Sequence, residues 1–126
     1  MEYLIDTNIF LWFVFRDSRL PAHTRAILED KSNTIKQSIV SLFEITVKVS
    51  KGSLLPNVDL SEFFRNHVVK AGLKILPIRI KHLLTLRALP FHDDHKDPFD
   101  RLIIAQSLAE DLELLYTDDV FAHYFS

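Results

Sequence analysis

The chain has 126 residues and a formal net charge of -2, with 15 Lys and Arg against 17 Asp and Glu. This length predicts a single domain over residues 1–126, and 48% hydrophobic with 25% charged residues excludes disordered, collagen-like and coiled-coil chains. The absence of cysteine excludes disulfide scaffolds, thiolate zinc sites and cysteine nucleophiles. Taken alone, the acidic balance also counts against a nucleic-acid binder.

The N-terminal residues are not expected to form a targeting signal. Met1–Asp6 has no basic region, and Asp6 interrupts its apolar run, so it does not fit a secretory signal. The apolar stretch Ile9–Phe15 is much shorter than the roughly 20 residues that cross a membrane. We expect a cytoplasmic protein with no membrane span.

Strands and helices alternate in the predicted order. That order is a strand at 3–5, helices at 8–15 and 20–30, a strand at 37–40, helices at 42–51 and 60–71, a strand at 74–78, helices at 80–89 and 98–111, and a strand at 114–117. Ser41 and Asp97 are the expected N-caps of their helices, Pro21 suits a first turn, and Gly52 and Gly72 suit helix ends. Because the strands are short and continuously apolar, we expect an α/β fold, a three-layer α/β/α sandwich with a parallel sheet of four or five strands.

Acidic residues stand where the predicted strands end or helices begin. They are Asp6 after the first strand, Glu44 in the first turn after the second, Asp97 and Asp100 at the start of the last long helix, and Asp118 and Asp119 after the fourth strand. The carboxyl ends of parallel strands share one edge of a sheet, where ligands bind. These acids are therefore predicted to converge.

Each acid also has an ordinary structural explanation. Glu44 has Lys48 four residues on, at salt-bridge spacing. Asp97 suits an N-cap, Asp100 suits the positive end of a helix dipole, and Asp6 suits an exposed turn. The joint placement of the acids, rather than any single one, favours a functional site.

Converging carboxylates predict a cation. Four or five of them in one pocket repel one another, so they take up protons or bind a metal ion. Oxygen ligands without cysteine select Mg²⁺ or Mn²⁺, which activate water and clamp phosphodiester oxygens. The residues alone therefore predict metal-assisted phosphodiester hydrolysis.

Two other motifs suggest different chemistry. His92, Asp93, Asp94, His95 and Asp97 resemble a zinc-binding group, but they lie between two proline-marked helices and are better explained as a solvated loop. The Asp6-x-Asn8 spacing resembles phosphatases that use Asp-x-Asp. Here the second acid is replaced by an amide, and Glu44 would have no role.

Four segments resemble the PIN domain, in particular the VapC-type toxins of bacteria and archaea. They are Leu4-Ile5-Asp6-Thr7-Asn8, Ser41-Leu42-Phe43-Glu44-Ile45, Asp97-Pro98-Phe99-Asp100-Arg101-Leu102-Ile103-Ile104-Ala105-Gln106, and Thr117-Asp118-Asp119 followed by Phe121 and Tyr124. The resemblance covers the whole chain in order, and its third segment is the most specific. It implies a Mg²⁺- or Mn²⁺-dependent ribonuclease that is a homodimer and is held inactive by a cognate antitoxin.

The resemblance assigns roles to residues. Asp6, Glu44 and Asp100 match the first three family acids, Asp97 belongs to the third motif, and Asp119 matches the fourth acid, with Asp118 as its flanking residue and a register uncertain by one. All five acids, Asp119 among them, are predicted metal ligands and catalytic residues. Thr7, Asn8, Thr117 and Asp118 are predicted to orient carboxylates or water. Arg101, Lys48 and Lys51 are the predicted phosphate contacts on RNA.

Two alternatives to a toxin stay open. One is a PIN-type nuclease in RNA processing without a toxin role, and the other is a non-catalytic module whose acids hold a structural ion. The net charge does not oppose RNA binding once the acids are assigned, because the chain without the five site acids is net basic. Distribution of charge matters more than its sum.

Overall fold

Four short strands form a parallel sheet at the centre of the fold. The structure, a computed structural model, describes residues 1–92 and 97–125. Within these residues the strands are β1 (Glu2–Ile5), β2 (Thr34–Ser38), β3 (Lys74–Leu76) and β4 (Glu113–Leu115). Their order across the sheet is β3-β2-β1-β4, and each neighbouring pair is parallel. The predicted parallel sheet is confirmed.

The first strand of the chain lies inside the sheet. Ile5 is in register with Gln37 of β2 on one side and with Leu115 of β4 on the other. The chain therefore winds outward from β1 in both directions, and the carboxyl end of β1 is the switch point at which α/β folds bind ligands. Asp6 directly follows this strand.

Helices cover the sheet. They are α1 (Thr7–Val14), α2 (Ala22–Glu29), α3 (Ile39–Ser50), α4 (Leu60–Phe64), α5 (Ile80–Ala88) and α6 (Pro98–Glu110). A π-helical turn, Arg65–Val69, continues α4, and a 3₁₀ helix spans Asp119–Tyr124. The single predicted helix at 60–71 is thus two helical segments of different winding. Within residues 1–92 and 97–125, no helix combines the length and the apolarity needed to cross a bilayer.

Apolar side chains on the two faces of the sheet build two cores. Tyr3 and Ile5 of β1 pack into a core with α1, α2, α3 and α4, whereas Leu4 packs on the opposite face with α6 and the 3₁₀ helix. This alternation is the period-two pattern of a strand that is buried on both sides. The predicted three-layer α/β/α arrangement is confirmed.

The second strand and the start of α3 differ from the prediction. β2 spans Thr34–Ser38 and so begins earlier than the predicted strand at 37–40. The sequence does not indicate this earlier start, because Thr34 and Lys36 interrupt the apolar pattern that marks a buried strand. Ser38 is the N-cap of α3, since its Oγ accepts the Val40 N–H at 2.9 Å. The prediction of Ser41 as the cap was wrong, and Glu44 consequently lies in the second turn of the helix rather than the first.

The remaining helix ends follow the expected chemistry with one change. Asp97 caps α6, with Pro98 in the first turn, as predicted. Gly52 and Gly72 adopt φ of 74° and 81° after their helical segments, a region that glycine occupies without strain. Pro21 is the N-cap of α2 and not a first-turn residue.

Candidate active site

A small acidic cavity lies at the carboxyl edge of the sheet. Its volume is about 170 Å³. The lining residues are Asp6, Thr7, Asn8, Glu44, Lys48, Asp97, Asp100, Thr117, Asp118 and Phe121. They come from four separate parts of the chain: the β1–α1 junction, α3, the start of α6 and the segment after β4. The structure therefore brings together acids that are distant in the sequence.

Asp6 is the most buried acid of the cavity, with 4% of its surface exposed. Its Oδ1 accepts the Ile9 N–H at 2.7 Å, and its Oδ2 accepts the Thr117 N–H at 3.1 Å. Burial raises the pKa of the Asp6 carboxyl to about 7; the two backbone N–H groups oppose this rise, and the charges of Asp100 and Glu44 add to it. Each Asp6 oxygen keeps a second lone pair for another ligand.

Glu44 is held by groups from two helices. Its Oε1 accepts the Thr7 hydroxyl at 2.7 Å, and its Oε2 contacts Lys48 Nζ at 3.0 Å. Because the Thr7 proton goes to Glu44, the bond of 2.9 Å between Thr7 and Ser41 is donated by the Ser41 hydroxyl. The predicted salt bridge with Lys48 therefore exists, and Glu44 faces the acidic cavity as well. Ser41, which the sequence suggested as a cap, instead supports Thr7.

Asp97 and Asp100 enter the cavity from the start of α6. Asp97 Oδ1 accepts the backbone N–H groups of Phe99 and Asp100, at 2.9 Å and 3.2 Å, so Asp97 is both the helix cap and part of the cavity lining. Asp100 lies in the first turn, where the helix dipole favours negative charge. For both acids, a structural role at the start of the helix is compatible with a place in the cavity lining.

The two aspartates after β4 have different positions. Asp118 lines the cavity, and its carboxylate accepts the Val120 N–H at 3.1 Å as the N-cap of the 3₁₀ helix. Asp119 is the exposed first residue of that helix and is not among the lining residues. The sequence leaves the register of the fourth acid open by one position, and the cavity lining favours Asp118 over Asp119. Thr117 and Asn8 line the cavity as well, joined by a bond of 3.3 Å from Asn8 Nδ2 to Thr117 Oγ1.

The three cations predicted to contact RNA differ in their surroundings. Lys48 lines the cavity with half of its side chain exposed, and Lys51 is exposed at the end of α3. Arg101 is 4% exposed. Its guanidinium donates to the carbonyls of Pro90 and Leu89 and to the Tyr124 hydroxyl. We therefore correct the assignment of Arg101 from a phosphate contact to a residue that ties α6 to the preceding loop and the C-terminal helix.

The histidine-rich segment can be described only in part. Asp93, Asp94 and His95, on which both the predicted solvated loop and the rejected zinc site depend, lie outside the described residues. The His92 ring packs against Tyr124 and His123, with centroids at 4.6 Å and 5.2 Å. Phe121 lines the cavity and is 2% exposed, and in the sequence it is marked only by its place in the fourth PIN-like segment.

The donor set of the cavity fits a hard divalent cation. Among the described residues, its lining offers carboxylate, hydroxyl and amide oxygens and no thiolate or imidazole, which is the chemistry of Mg²⁺ and Mn²⁺ sites. Within residues 1–92 and 97–125, no three His, Asp or Glu side chains stand close enough together to ligate one ion. Ligation would therefore require cavity acids to turn inward, and Glu44 to share its carboxylate between Lys48 and the ion.

A larger cavity of about 640 Å³ lies elsewhere, between α1, α2 and the π-helical turn. Phe13, Val14 and Leu28 supply apolar surface, and Arg16 and Glu29 supply charges of opposite sign. No set of converging acids lines it. The acidic cavity is the better candidate active site despite its smaller volume.

Solved structures with the same fold include VapBC2 and FitAB, each bound to a DNA fragment. One is VapBC2 from Rickettsia felis bound to a DNA fragment from its promoter, with a TM-score of 0.73 and 20% identity over 98% of this chain and 93% of that one. The other is FitAB bound to the IR36 DNA fragment, with a TM-score of 0.57 and 17% identity over 93% of this chain and 95% of that one. The sequence matches none of the curated proteins with which it was compared. The family model of the PIN domain matches residues 3–124, and the chain therefore belongs to the PIN domain family.

Proposed function

We propose that this protein is an endoribonuclease that depends on Mg²⁺ or Mn²⁺ and acts in the cytoplasm as the toxin of a toxin–antitoxin pair. The observation that carries the proposal is the cavity at the carboxyl edge of the sheet, which gathers Asp6, Glu44, Asp97, Asp100 and Asp118 around one lysine. PIN domains are generally nucleases, which agrees with this chemistry. Membership of the family and the acid set thus point to the same reaction class.

The acids of the cavity would hold the cation. Asp6, Glu44 and Asp100 are the proposed central ligands, because the charges of Glu44 and Asp100 already act on buried Asp6. Asp97 and Asp118 complete the acidic lining. When bound, a divalent cation supplies activation of water and neutralisation of charge at the scissile phosphate.

The other polar residues position the acids. Thr7 fixes one oxygen of Glu44, and Ser41 fixes Thr7. The Thr117 N–H fixes one oxygen of Asp6, and the side chain of Asn8 fixes Thr117. These contacts reduce the side-chain freedom that ligation would otherwise cost.

Charge determines how RNA approaches the cavity. The five carboxylates of the cavity outweigh its one lysine, so the cavity repels a phosphate backbone unless a cation lies between the carboxylates and the phosphate. Lys48 and Lys51 follow Glu44 at intervals of four and three residues on α3, so they form a cationic stripe that leads away from the cavity. We assign to these two lysines the phosphate contacts that orient the RNA.

The toxin role rests on the solved relatives. The structures of VapBC2 and FitAB each contain a bound DNA fragment, and this chain shares their fold over nearly its whole length. We therefore propose a cognate antitoxin as a partner, and a homodimer as the assembled form. The antitoxin would be the component that contacts DNA, because without a cation the acidic cavity of this chain repels the phosphates of DNA.

Cleavage of single-stranded RNA by the purified protein tests the proposal. We expect cleavage with Mg²⁺ or Mn²⁺, loss of cleavage with EDTA, and loss of cleavage in Asp6→Asn and Asp100→Asn. The two neighbouring aspartates after β4 give a matched comparison: Asp118→Asn should lose activity and Asp119→Asn should keep it. Absence of cleavage with either ion, or full activity in Asp6→Asn, would contradict the proposal.

Expression in cells tests the toxin role separately. The intact chain should arrest growth, and Asp6→Asn should not. Co-expression of a small DNA-binding protein encoded beside this chain should relieve the arrest. An enzyme that cleaves RNA in vitro but does not affect growth would instead favour a role in RNA processing.

A further inference from the structure

A partly exposed pair of aromatic rings lies close to the acidic cavity, although neither ring is among its lining residues. Phe43 of α3 and Phe99 of α6 meet edge to face, with ring centroids 5.4 Å apart and planes at 77°. Each immediately precedes an acid of the cavity, Glu44 and Asp100 respectively. The pair therefore joins the two helices that supply these acids, beside the proposed site of cleavage.

Burial in the core does not explain Phe43. It is 57% exposed, whereas its neighbours Leu42 and Ile45 are buried in the core. Phe99 is half-buried and packs against the core on the α6 side of the sheet. Phe99 thus anchors the pair, and Phe43 offers an aromatic surface to solvent.

The same helix carries two cations further along, and one of them, Lys48, lines the cavity. Lys48 and Lys51 follow Phe43 by five and eight residues on α3 and at its C-cap, and both are exposed. Aromatic rings that stack on bases, combined with cations that contact the backbone, are the usual means of binding single-stranded nucleic acid. Here both lie beside the acids that would cut the strand.

We propose that the Phe43–Phe99 pair is a base-stacking site for an unpaired nucleotide next to the scissile phosphate of a single-stranded RNA. The inference rests on the proposed function and specifies its substrate. A base held in a duplex does not expose its face to a side chain, so this site selects single strands. Because every base has an aromatic face, stacking here gives binding without strong sequence preference.

Fluorescence of a short RNA that contains 2-aminopurine provides a direct test. Stacking on an aromatic ring quenches this base, and rapid mixing with the intact protein and Mn²⁺ measures the quench before turnover. Phe43→Leu keeps the apolar bulk and removes the aromatic face, whereas Phe43→Tyr keeps both. We expect Phe43→Leu to lose the quench and to weaken binding about tenfold or more, visible as a raised KM, and Phe43→Tyr to behave like the parent.

Phe15 offers a matched control. It is a phenylalanine of similar exposure, 54%, at the end of α1, and it stacks on Phe63 instead of on a residue near the cavity. Phe15→Leu should leave the quench and KM unchanged. Circular dichroism confirms that each variant is folded.

The possible outcomes separate this inference from the proposed function. If Phe43→Leu quenches and binds as the parent does while cleavage persists, the stacking site is refuted and the nuclease proposal stands. If Phe43→Leu instead converts a dimer to a monomer in sedimentation and leaves the quench intact, the pair is a contact between chains and the inference is refuted. If the parent neither binds nor cleaves RNA with Mg²⁺ or Mn²⁺, the proposed function fails and the stacking site fails with it.

Discussion

Replacement of Asp6 by Asn is expected to inactivate the protein and, at pH 8 without metal, to stabilise it. The carboxyl is 4% exposed and has a pKa of about 7 in the folded state, against 3.8 for its ordinary value. Between these two values the folded chain binds more protons than the unfolded chain. The free energy of unfolding therefore falls as the pH rises from about 4 to about 7, and is level above that.

The size of the effect follows from the change in pKa. At about 1.4 kcal/mol for each pH unit, ionising Asp6 costs the folded state up to about 4 kcal/mol above pH 7. Asn keeps an oxygen for the Ile9 N–H but has no second oxygen for the Thr117 N–H, a loss of about 1 kcal/mol. The expected net gain is about 3 kcal/mol, or about 10 °C in Tm for a chain of this length.

Urea and thermal unfolding between pH 4 and pH 8.5 in EDTA measure this prediction. We expect the Asp6→Asn profile to be flatter than that of the wild type and to lie above it at pH 8. Added Mn²⁺ should raise the Tm of the wild type, because a bound cation offsets the buried charge, and should affect Asp6→Asn much less. Asp119→Asn, an exposed neighbour of the cavity, should follow the wild type throughout.

One result would refute the reasoning directly. If Asp6→Asn is less stable than the wild type at pH 8 in EDTA, and the two pH profiles are parallel, then Asp6 does not carry a buried charge that opposes folding. Its role would be that of an ordinary helix N-cap. A metal-dependent rise in Tm that persists in the variant would likewise remove Asp6 from the set of ligands.

Three further predictions concern stability and RNA binding. Gln37 is fully buried, and neither of its amide atoms has a hydrogen-bond partner among residues 1–92 and 97–125. Gln37→Met should therefore raise the free energy of unfolding, measured with urea, by about 1–3 kcal/mol. A decrease would mean that the amide is hydrogen-bonded. His82 is fully buried, with its ring nitrogens bonded to the Arg79 N–H and to Glu110, so His82→Phe should lower the free energy of unfolding by about 2–4 kcal/mol. Lys81→Ala removes only an exposed partner of Glu110 and should lower it by less than about 1 kcal/mol. Equal losses in the two variants would contradict this prediction. Lys51→Ala should weaken RNA binding and lower its salt dependence by about one charge, whereas Arg101→Met should lower Tm and leave that salt dependence unchanged.

The order of the elements and the edge that holds the acids could be predicted from the sequence. Tyr3–Ile5 is apolar and is followed directly by the acid Asp6. Asp97-Pro98 is a strong signal for the start of a helix. Both features depend on local chemistry alone, namely burial on both faces of a strand and satisfaction of free N–H groups at a helix end. The structure has a strand and a helix start at these places.

The start of α3 could not be predicted, because two serines compete for the same role. Ser38 and Ser41 are equally suited to cap a helix. The end of the preceding strand does not decide between them, because Gln37 is polar and does not mark where a buried strand stops. What decides between the serines is tertiary. The Ser38 hydroxyl also donates to Gln106 of α6, and Ser41 supports Thr7 across the cavity.

The positions of Asp118 and Arg101 also depend on distant contacts. Asp118 and Asp119 are identical in the sequence, and the turn into the 3₁₀ helix decides which of them lines the cavity. Arg101 stands next to Asp100, and the sequence gives no sign that its guanidinium is satisfied by carbonyls before α6 and by Tyr124. A charged residue is buried only where such partners exist, and they become visible only in the folded chain.

The central position of β1 affects when the site is completed during synthesis. Asp6 is translated well before its partners, yet its N–H donates to Leu115 and its carboxylate accepts from Thr117, 111 positions later. A nascent chain that ends before β4 leaves one edge of β1 unpaired and Asp6 without this bond. A protein proposed to cut RNA is therefore built beside its own messenger in an incomplete form, and its candidate active site is completed only after β4 and Thr117 have been made.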